Sequence, residues 1–130
     1  MNYVEIAHLI ASKMIEGKKL SKALALIYNK RELVIPNDTS ILNVKIMDLK
    51  MTNRTTNALM RAKLTTIGEV AEYCEKQKLT DIKLFGTASA IEMLETILDY
   101  CWSKMSNSEK AEFLLDIAER NEHNLREELR

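Results

Sequence analysis

Two short polar turns, each followed by an apolar helical pattern, carry the side chains of this sequence that are best suited to bind a ligand. In the first, Thr52 can cap a helix whose apolar positions leave Arg54 and Asn57 on another side. In the second, Gly86 supplies a tight turn and Thr87 caps the next helix. A helix-hairpin-helix unit of this kind points free N–H groups and a positive dipole end outward, where a nucleic-acid phosphate fits. The same residues also suit an ordinary capped turn between helices, and one hairpin does not decide between the two.

Side chains for catalysis or metal binding are scattered along the sequence rather than grouped. Cys74 and Cys101 form no C-x-x-C pair, which indicates buried thiols of a reducing compartment. Ser89 has no histidine nearby in sequence, His8 has no second ligand four residues on, and His123 lies among polar and charged neighbours. The sequence therefore predicts neither an enzyme nor a metal or cofactor site.

Composition favours one compact all-α fold without a membrane segment. The chain has 130 residues, 46% of them hydrophobic, with only 3 glycines and 1 proline. No run of eighteen apolar residues and no signal pattern occurs, so we expect a cytoplasmic protein that does not enter a membrane.

Charge balances overall but not locally. There are 19 basic and 19 acidic side chains, so no general basic field attracts nucleic acid. Residues 1–45 carry 7 basic and 4 acidic groups (+3), residues 46–105 carry 8 and 8, and residues 106–130 carry 4 and 7 (−3). The basic N-terminal part and the acidic C-terminal part either attract each other, within or between chains, or are two solvated surfaces.

Periodicity divides the sequence into three parts, namely a helical extension over residues 1–40, a central domain over 41–105 and a C-terminal helix over 106–130. Helices are predicted over residues 3–16, 20–29, 53–63, 80–84 and 87–104. Two further helices begin at residue 66 and at about residue 107, the second with Asn107 or Ser108 as its cap. A capping box is predicted from Thr66 to Glu69, and a short extended segment over 32–35. Leu84 and Phe85 should bury the end of the helix over 80–84. The apolar stripe of the last helix belongs either to the core or to a dimer or partner contact.

A longer pattern joins the two turns across residues 41–100. It consists of Ile41-Leu42, Ile46-x-Asp48-Leu49, Thr52-x-Arg54-x-x-Asn57-x-Leu59, Ile67-Gly68-Glu69-Val70 and Leu84-x-Gly86-x-x-Ser89-x-x-Glu92. This order resembles the C-terminal domain of the bacterial RNA polymerase alpha subunit, with about one inserted residue near residues 75–78. The apolar frame and the polar positions agree in register, which makes the resemblance specific.

The resemblance implies a DNA-binding surface made of Arg54, Asn57, Gly86, Ser89 and Glu92. In that family, residues at these positions meet the minor groove of A·T-rich double-stranded DNA upstream of promoters. Arg54 would enter the narrow groove and Asn57 would bond to sugar, phosphate or a groove acceptor. Gly86 and Ser89 would hold a phosphate, and Glu92 would orient Arg54 or bind water.

One departure from the family leaves two hypotheses open. Ala88 stands where the family usually has a lysine, so one phosphate contact is missing unless Lys63 or Lys83 compensates. The first hypothesis is a transcription-associated DNA-binding protein, whose terminal helices form a homodimer or dock a partner. The second is an interaction module that does not bind DNA but engages RNA polymerase subunits, sigma factor or transcription regulators by mimicking that domain.

Overall fold

A computed structural model describes residues 1–29, 41–83 and 85–129 of the protein. Within these ranges the structure is all-α, as predicted. Its helices are α1 (Tyr3–Ile15), α2 (Leu20–Ile27), α3 (Asn53–Arg61), α4 (Ile67–Lys76), α5 (Thr87–Ser103) and α6 (Asn107–Arg120). None of them combines the length and apolar character that crossing a bilayer requires. The extended segment predicted over 32–35 and the contact predicted for Leu84 lie outside the described residues.

The long helix α5 is the centre of the core. Its inner residues are fully or nearly fully buried, and α2 and α3 pack against it. The Asp99 carboxylate of α5 accepts hydrogen bonds from the Ser21 amide (3.0 Å) and hydroxyl (2.7 Å). Because the side chain of Lys19, the N-cap residue of α2, makes no capping hydrogen bond, Asp99 caps α2 from across the core.

The terminal helices belong to the same core as the central domain. α1 packs on both α2 and α6, and the buried residues Ile6, Ile10, Phe113 and Ile117 join one hydrophobic cluster with those of α3 to α5. The apolar stripe of α6 is therefore covered by α1 of the same molecule, which favours the core over a dimer contact for that stripe. Arg120 also bonds to Glu75 of α4 at 2.9 Å.

Helix α6 ends earlier than its apolar pattern predicted. The side-chain amide of Asn121 donates to the Ile117 carbonyl at 2.9 Å and the helix stops at Arg120. Two short 3₁₀ turns follow, and Leu125 pairs with Tyr28 at the end of α2. The backbone thus returns to the N-terminal helices instead of extending as one helix.

Two of the predicted caps are wrong in position. α5 begins at Thr87 itself and its cap is Gly86, so Thr87 is the first helical residue. α6 is capped by Ser106, not by Asn107 or Ser108, and Ser106 forms a full capping box with Glu109. The sequence offers Ser106, Asn107 and Ser108 in a row before α6, and Gly86 followed by Thr87 before α5. The local pattern alone does not choose among these candidate caps.

The predicted capping box at the start of α4 is confirmed in one half. The Thr66 hydroxyl accepts from the Glu69 amide at 3.2 Å. The Glu69 carboxylate makes its shortest bonds one residue earlier, to the Thr65 hydroxyl (2.6 Å) and amide (3.0 Å). These bonds, with smaller contributions from Thr66, lower the pKa of Glu69.

Candidate nucleic-acid interface

The first turn of α3 presents Arg54 and Asn57 to solvent. Thr52 caps the helix as predicted, since its hydroxyl accepts from the Thr55 amide at 3.4 Å. Thr55 is buried beneath this turn, whereas Arg54 and Asn57 are both exposed. Residues three apart share one side of a helix, so this guanidinium and amide form a polar surface on the outer side of α3.

The first turn of α5 presents backbone rather than side chains. It has no side-chain cap, so the amide groups that follow Gly86 have no capping partner. Phe85 is buried just before the turn, while Gly86, Thr87 and Ala88 are exposed. The positive end of a helix of 17 residues is therefore open to an anion.

Gly86 is not required by the fold. Its φ of −87° and ψ of −178° form extended backbone that any residue adopts, and an added Cβ would meet no atom within 4 Å. The expectation that glycine is needed here for a tight turn is therefore wrong. Gly68 is the opposite case, because an added Cβ would come within 3.0 Å of the Leu42 carbonyl oxygen.

Glu92 joins the two turns. Its carboxylate accepts from the Thr52 hydroxyl at 2.9 Å and from the Thr52 amide at 3.3 Å. Glu92 lies six residues after Gly86, about 9 Å along α5, and Thr52 lies two residues before Arg54. This contact therefore holds the start of α3, with Arg54, against the second turn of α5.

The hydrogen bonds of Glu92 differ from those that the family resemblance implies. Arg54 or water was expected as its partner, whereas its hydrogen bonds go to Thr52 and Thr55. Hydrogen bonding by Thr55, together with that by Thr52, lowers the pKa of Glu92, although partial burial raises it. The cap motif at Thr52 was visible in the sequence, but its partner forty residues away was not.

Ser89 is less suited to meet a ligand than the other predicted residues. This residue is only 8% exposed and lies on the side of α5 that enters the core. A hydroxyl in this position has little access to a phosphate. The backbone amide of Ser89 still belongs to the open first turn of α5.

Two lysines near the interface are exposed. Lys63 follows α3 with a φ of 63°, and the bonds from the Lys63 amide to Met60 (3.0 Å) and from the Leu64 amide to Leu59 (3.0 Å) form a Schellman turn. Lys63 lies nine residues beyond Arg54, about 14 Å along the helix axis. Lys83, three residues before Gly86, is the nearer of the two in sequence to the position of Ala88.

The sequence predicts two buried cysteines, and the structure buries Cys101 and half-buries Cys74. Neither cysteine takes part in a disulfide. Burial raises the pKa of Cys74 to about 12, so the reactive thiolate is strongly disfavoured there. Among the described residues, no group of three or more His, Cys, Asp or Glu side chains is arranged to hold a metal ion.

Comparison with known proteins identifies the central part of the sequence. The family described as the C-terminal domain of the bacterial RNA polymerase alpha chain matches residues 34–99, which are half of this protein. This protein belongs to that family. The match contains α3, α4 and most of α5, whereas α1, α2 and α6 lie outside it. The resemblance that the sequence indicated is therefore confirmed, and the protein is transcription-related.

A curated relative gives the same result. The DNA-directed RNA polymerase subunit alpha of Herpetosiphon aurantiacus is 39% identical over 67 residues, which are 52% of this protein. Those residues cover 19% of the relative, so the match spans a small part of that subunit. No solved structure gives a significant match.

The pH dependence of stability should report the contact between Glu92 and α3. Because the folded pKa of Glu92 lies below 4.5, its contribution is complete above that value and is lost as the pH falls through the folded pKa. We expect the parent to lose more stability than Glu92→Gln between pH 6 and pH 3, measured as urea midpoints. The exposed residue Glu112 provides the control Glu112→Gln. Equal losses in the parent and Glu92→Gln would contradict the contact.

Proposed function

We propose that this protein is a transcription-associated DNA-binding protein of the cytoplasm that contacts the minor groove of A·T-rich duplex DNA. Arg54 and Asn57 supply the side chains that enter or line the groove. The turn from Gly86 to Ser89 supplies amide groups to a phosphate, and Glu92 keeps the two parts in register through Thr52. The observation that supports this proposal most directly is that the fold itself does not require a glycine at position 86.

Gly86 supports close approach by another molecule. A glycine that no steric contact and no positive φ requires is explained if a ligand lies against its Cα. The neighbouring amides are exposed at the positive end of α5, so the chemistry of that ligand is anionic. A sugar–phosphate backbone fits both requirements, and the family match makes DNA the natural source.

Arg54 supports recognition of a narrow groove. The protein has no net charge, so attraction to DNA depends on where its cations lie rather than on their total number. A narrow A-tract groove concentrates negative potential and attracts an inserted guanidinium. Arg54 is exposed and lies in the first turn of α3, beside an amide that can reach sugar or phosphate oxygens.

Gly86→Ala tests the proposal because it separates binding from folding. We expect it to weaken binding to an A·T-rich duplex several-fold and to change the free energy of unfolding by less than about 1 kcal/mol. Binding is measured by titration of A·T-rich and G·C-rich duplexes at two salt concentrations. Gly68→Ala is the matched control, since its methyl group meets backbone and should lower stability instead. A parent that binds neither duplex would overturn the proposal.

Ala88→Lys should strengthen binding by restoring the cation that the family usually carries. Ala88 is exposed in the first turn of α5, next to the proposed phosphate position. One added phosphate contact increases the slope of log affinity against log salt by about one. The control is Ala111→Lys, which adds the same charge on the exposed side of α6. Equal gains for both variants would show that only total charge matters.

The absent lysine and the zero net charge favour a second function to a lesser degree. In it, the same surface engages RNA polymerase subunits, sigma factor or transcription regulators without binding DNA. Capture of a purified polymerase by a parent protein that binds no duplex at low salt would establish this alternative. Loss of that capture in Arg54→Ala would place the contact on the same surface.

A further inference from the structure

The outer side of α1 carries a second, mostly apolar stripe, distinct from the fully buried residues of this helix. We call it the outer stripe, and its members are Val4, His8, Ala11 and Ile15. Val4, His8 and Ile15 are exposed, Ala11 is half-buried, and Ile15 reaches 87% exposure. At about 100° per residue, the outer stripe lies about 120° around α1 from its buried residues. Ala11, at the edge of the outer stripe, packs against the core, whereas Val4, His8 and Ile15 stay exposed in the part of the protein that the structure describes.

The spacing of the outer stripe suits lengthwise packing against another helix. Its members are separated by four, three and four residues, which is the alternation of a and d positions in a heptad. The buried residues Ile6, Ala7 and Ile10 already serve the contacts of α1 with α2 and α6, whereas Val4, His8 and Ile15 of the outer stripe remain exposed. The second stripe is therefore a surface for a helix from outside the core.

We propose that a second copy of this protein docks on the outer stripe, with the two α1 helices antiparallel. This arrangement forms four layers around a two-fold axis. Val4 lies against Ile15 of the partner copy, Ala11 lies against the partner's His8, and the symmetry repeats both layers. Each layer combines a larger with a smaller side chain, and no imidazole faces another. This inference goes beyond the proposed function and does not depend on DNA binding.

Charge favours the antiparallel arrangement. Glu5 is the only charged side chain among residues 1–9, whereas Lys18 and Lys19 follow the C-terminal end of α1. Lys13 lies about 170° around the helix from the outer stripe and takes no part in this contact. Antiparallel copies place the acidic N-terminal half of each helix beside the basic C-terminal end of the other, and their dipoles also oppose. A parallel pair would place lysines beside lysines and His8 beside its own copy.

The size of the surface sets the strength of the dimer. α1 has 13 residues and is about 20 Å long, so one helix pair buries less than an interface of standard size. We therefore expect a reversible dimer with a dissociation constant on the order of 10 to 100 μM. Sedimentation equilibrium of the full-length protein over a wide range of concentrations measures it.

Ile15→Gln tests the stripe without disturbing the core. Because Ile15 is almost fully exposed, the variant should melt like the parent, and its dissociation constant should rise at least tenfold. Met47, which is 67% exposed outside α1, provides the control Met47→Gln, with unchanged association. A parent that stays monomeric, or Ile15→Gln that dimerises like the parent, would overturn the proposal. So would an Ile15→Gln monomer with clearly lowered stability, because the stripe would then be covered within the molecule.

Cross-linking tests the orientation. A mixture of the Val4→Cys and Ile15→Cys variants should form the mixed disulfide under mild oxidation, because these positions share a layer. Neither variant alone should cross-link to itself, and the parent under the same conditions controls for Cys74. Efficient cross-linking of Val4→Cys to itself would show a parallel pair and overturn the antiparallel arrangement.

Discussion

Replacing Arg54 by alanine should weaken binding to an A·T-rich duplex roughly 5-fold to 150-fold, whereas the same change at Arg61 should weaken it about threefold or less. Both arginines are exposed on α3 and lie seven residues apart, so they project within about 20° of each other around the axis. They differ in position along the helix axis, because Arg61 lies about two turns, roughly 10 Å, beyond Arg54. The comparison therefore removes one guanidinium in each case and changes only its distance from Gly86.

The large effect expected at Arg54 follows from its position on a helical turn that is held in place by a neighbouring contact. Thr52, two residues earlier, is held by Glu92, and Asn57 lies one turn further along the same side. A side chain on a fixed turn loses less freedom when it inserts into a groove, so more of its attraction to the groove appears as affinity. A well-placed arginine contact is worth about 1–3 kcal/mol, which is roughly 5-fold to 150-fold in affinity.

Three measurements decide this prediction. Titrations of the parent, Arg54→Ala and Arg61→Ala with the same duplex at two salt concentrations give affinity and salt slope. Arg54→Lys keeps the charge but removes the planar guanidinium, so it should bind between the parent and Arg54→Ala. Equal losses for Arg54→Ala and Arg61→Ala would mean that α3 acts only as a diffuse positive surface. The groove contact proposed for Arg54 would then be wrong.

Local features of this fold could be predicted from sequence, and contacts between distant residues could not. The helical periods, the cap at Thr52 and the exposure of Arg54 and Asn57 depend on neighbours within one or two turns. The bond between Glu92 and Thr52 joins residues forty apart, and the cap of α2 comes from Asp99, 78 residues from Ser21. Side-chain pairs of this kind depend on how helices cross, and periodicity holds no information about crossing.

Gly86 and α6 show two further structural features that the sequence alone does not predict. A glycine before a helix indicates a turn, but only coordinates reveal whether its missing Cβ leaves room that the protein itself does not use. An apolar stripe on a terminal helix indicates that something covers it, without saying what. The stripe of α6 is covered by α1, a helix that the sequence pattern assigns to a separate extension. The pattern predicted the apolar stripe, but the helix that covers it could be identified only from the fold.

Replacing Ile10 by alanine should lower the free energy of unfolding by about 2–5 kcal/mol for the whole described core, not for α1 alone. Ile10 is completely buried and belongs to the same cluster as Phe113, Ile117 and the inner residues of α5. Removing its outer carbons loses their transfer free energy and leaves a cavity that the packed neighbours only partly fill. Ile15→Ala on the same helix removes the same atoms from an 87% exposed site, so it should change stability by about 0.5 kcal/mol or less.

Urea unfolding followed by two signals shows whether α1 and the central domain unfold together. Circular dichroism reports all helices, while the single tryptophan, Trp102 on α5, reports packing near Phe113, whose ring centre is 6.5 Å away. If the terminal helices and the family domain form one cooperative unit, both signals of Ile10→Ala shift together to lower urea. If α1 were a separate extension, part of the circular dichroism signal would be lost first and the tryptophan transition would stay in place. Coincident transitions would mean that the helices outside the family match stabilise the fold that holds Arg54, Asn57 and Gly86 in position.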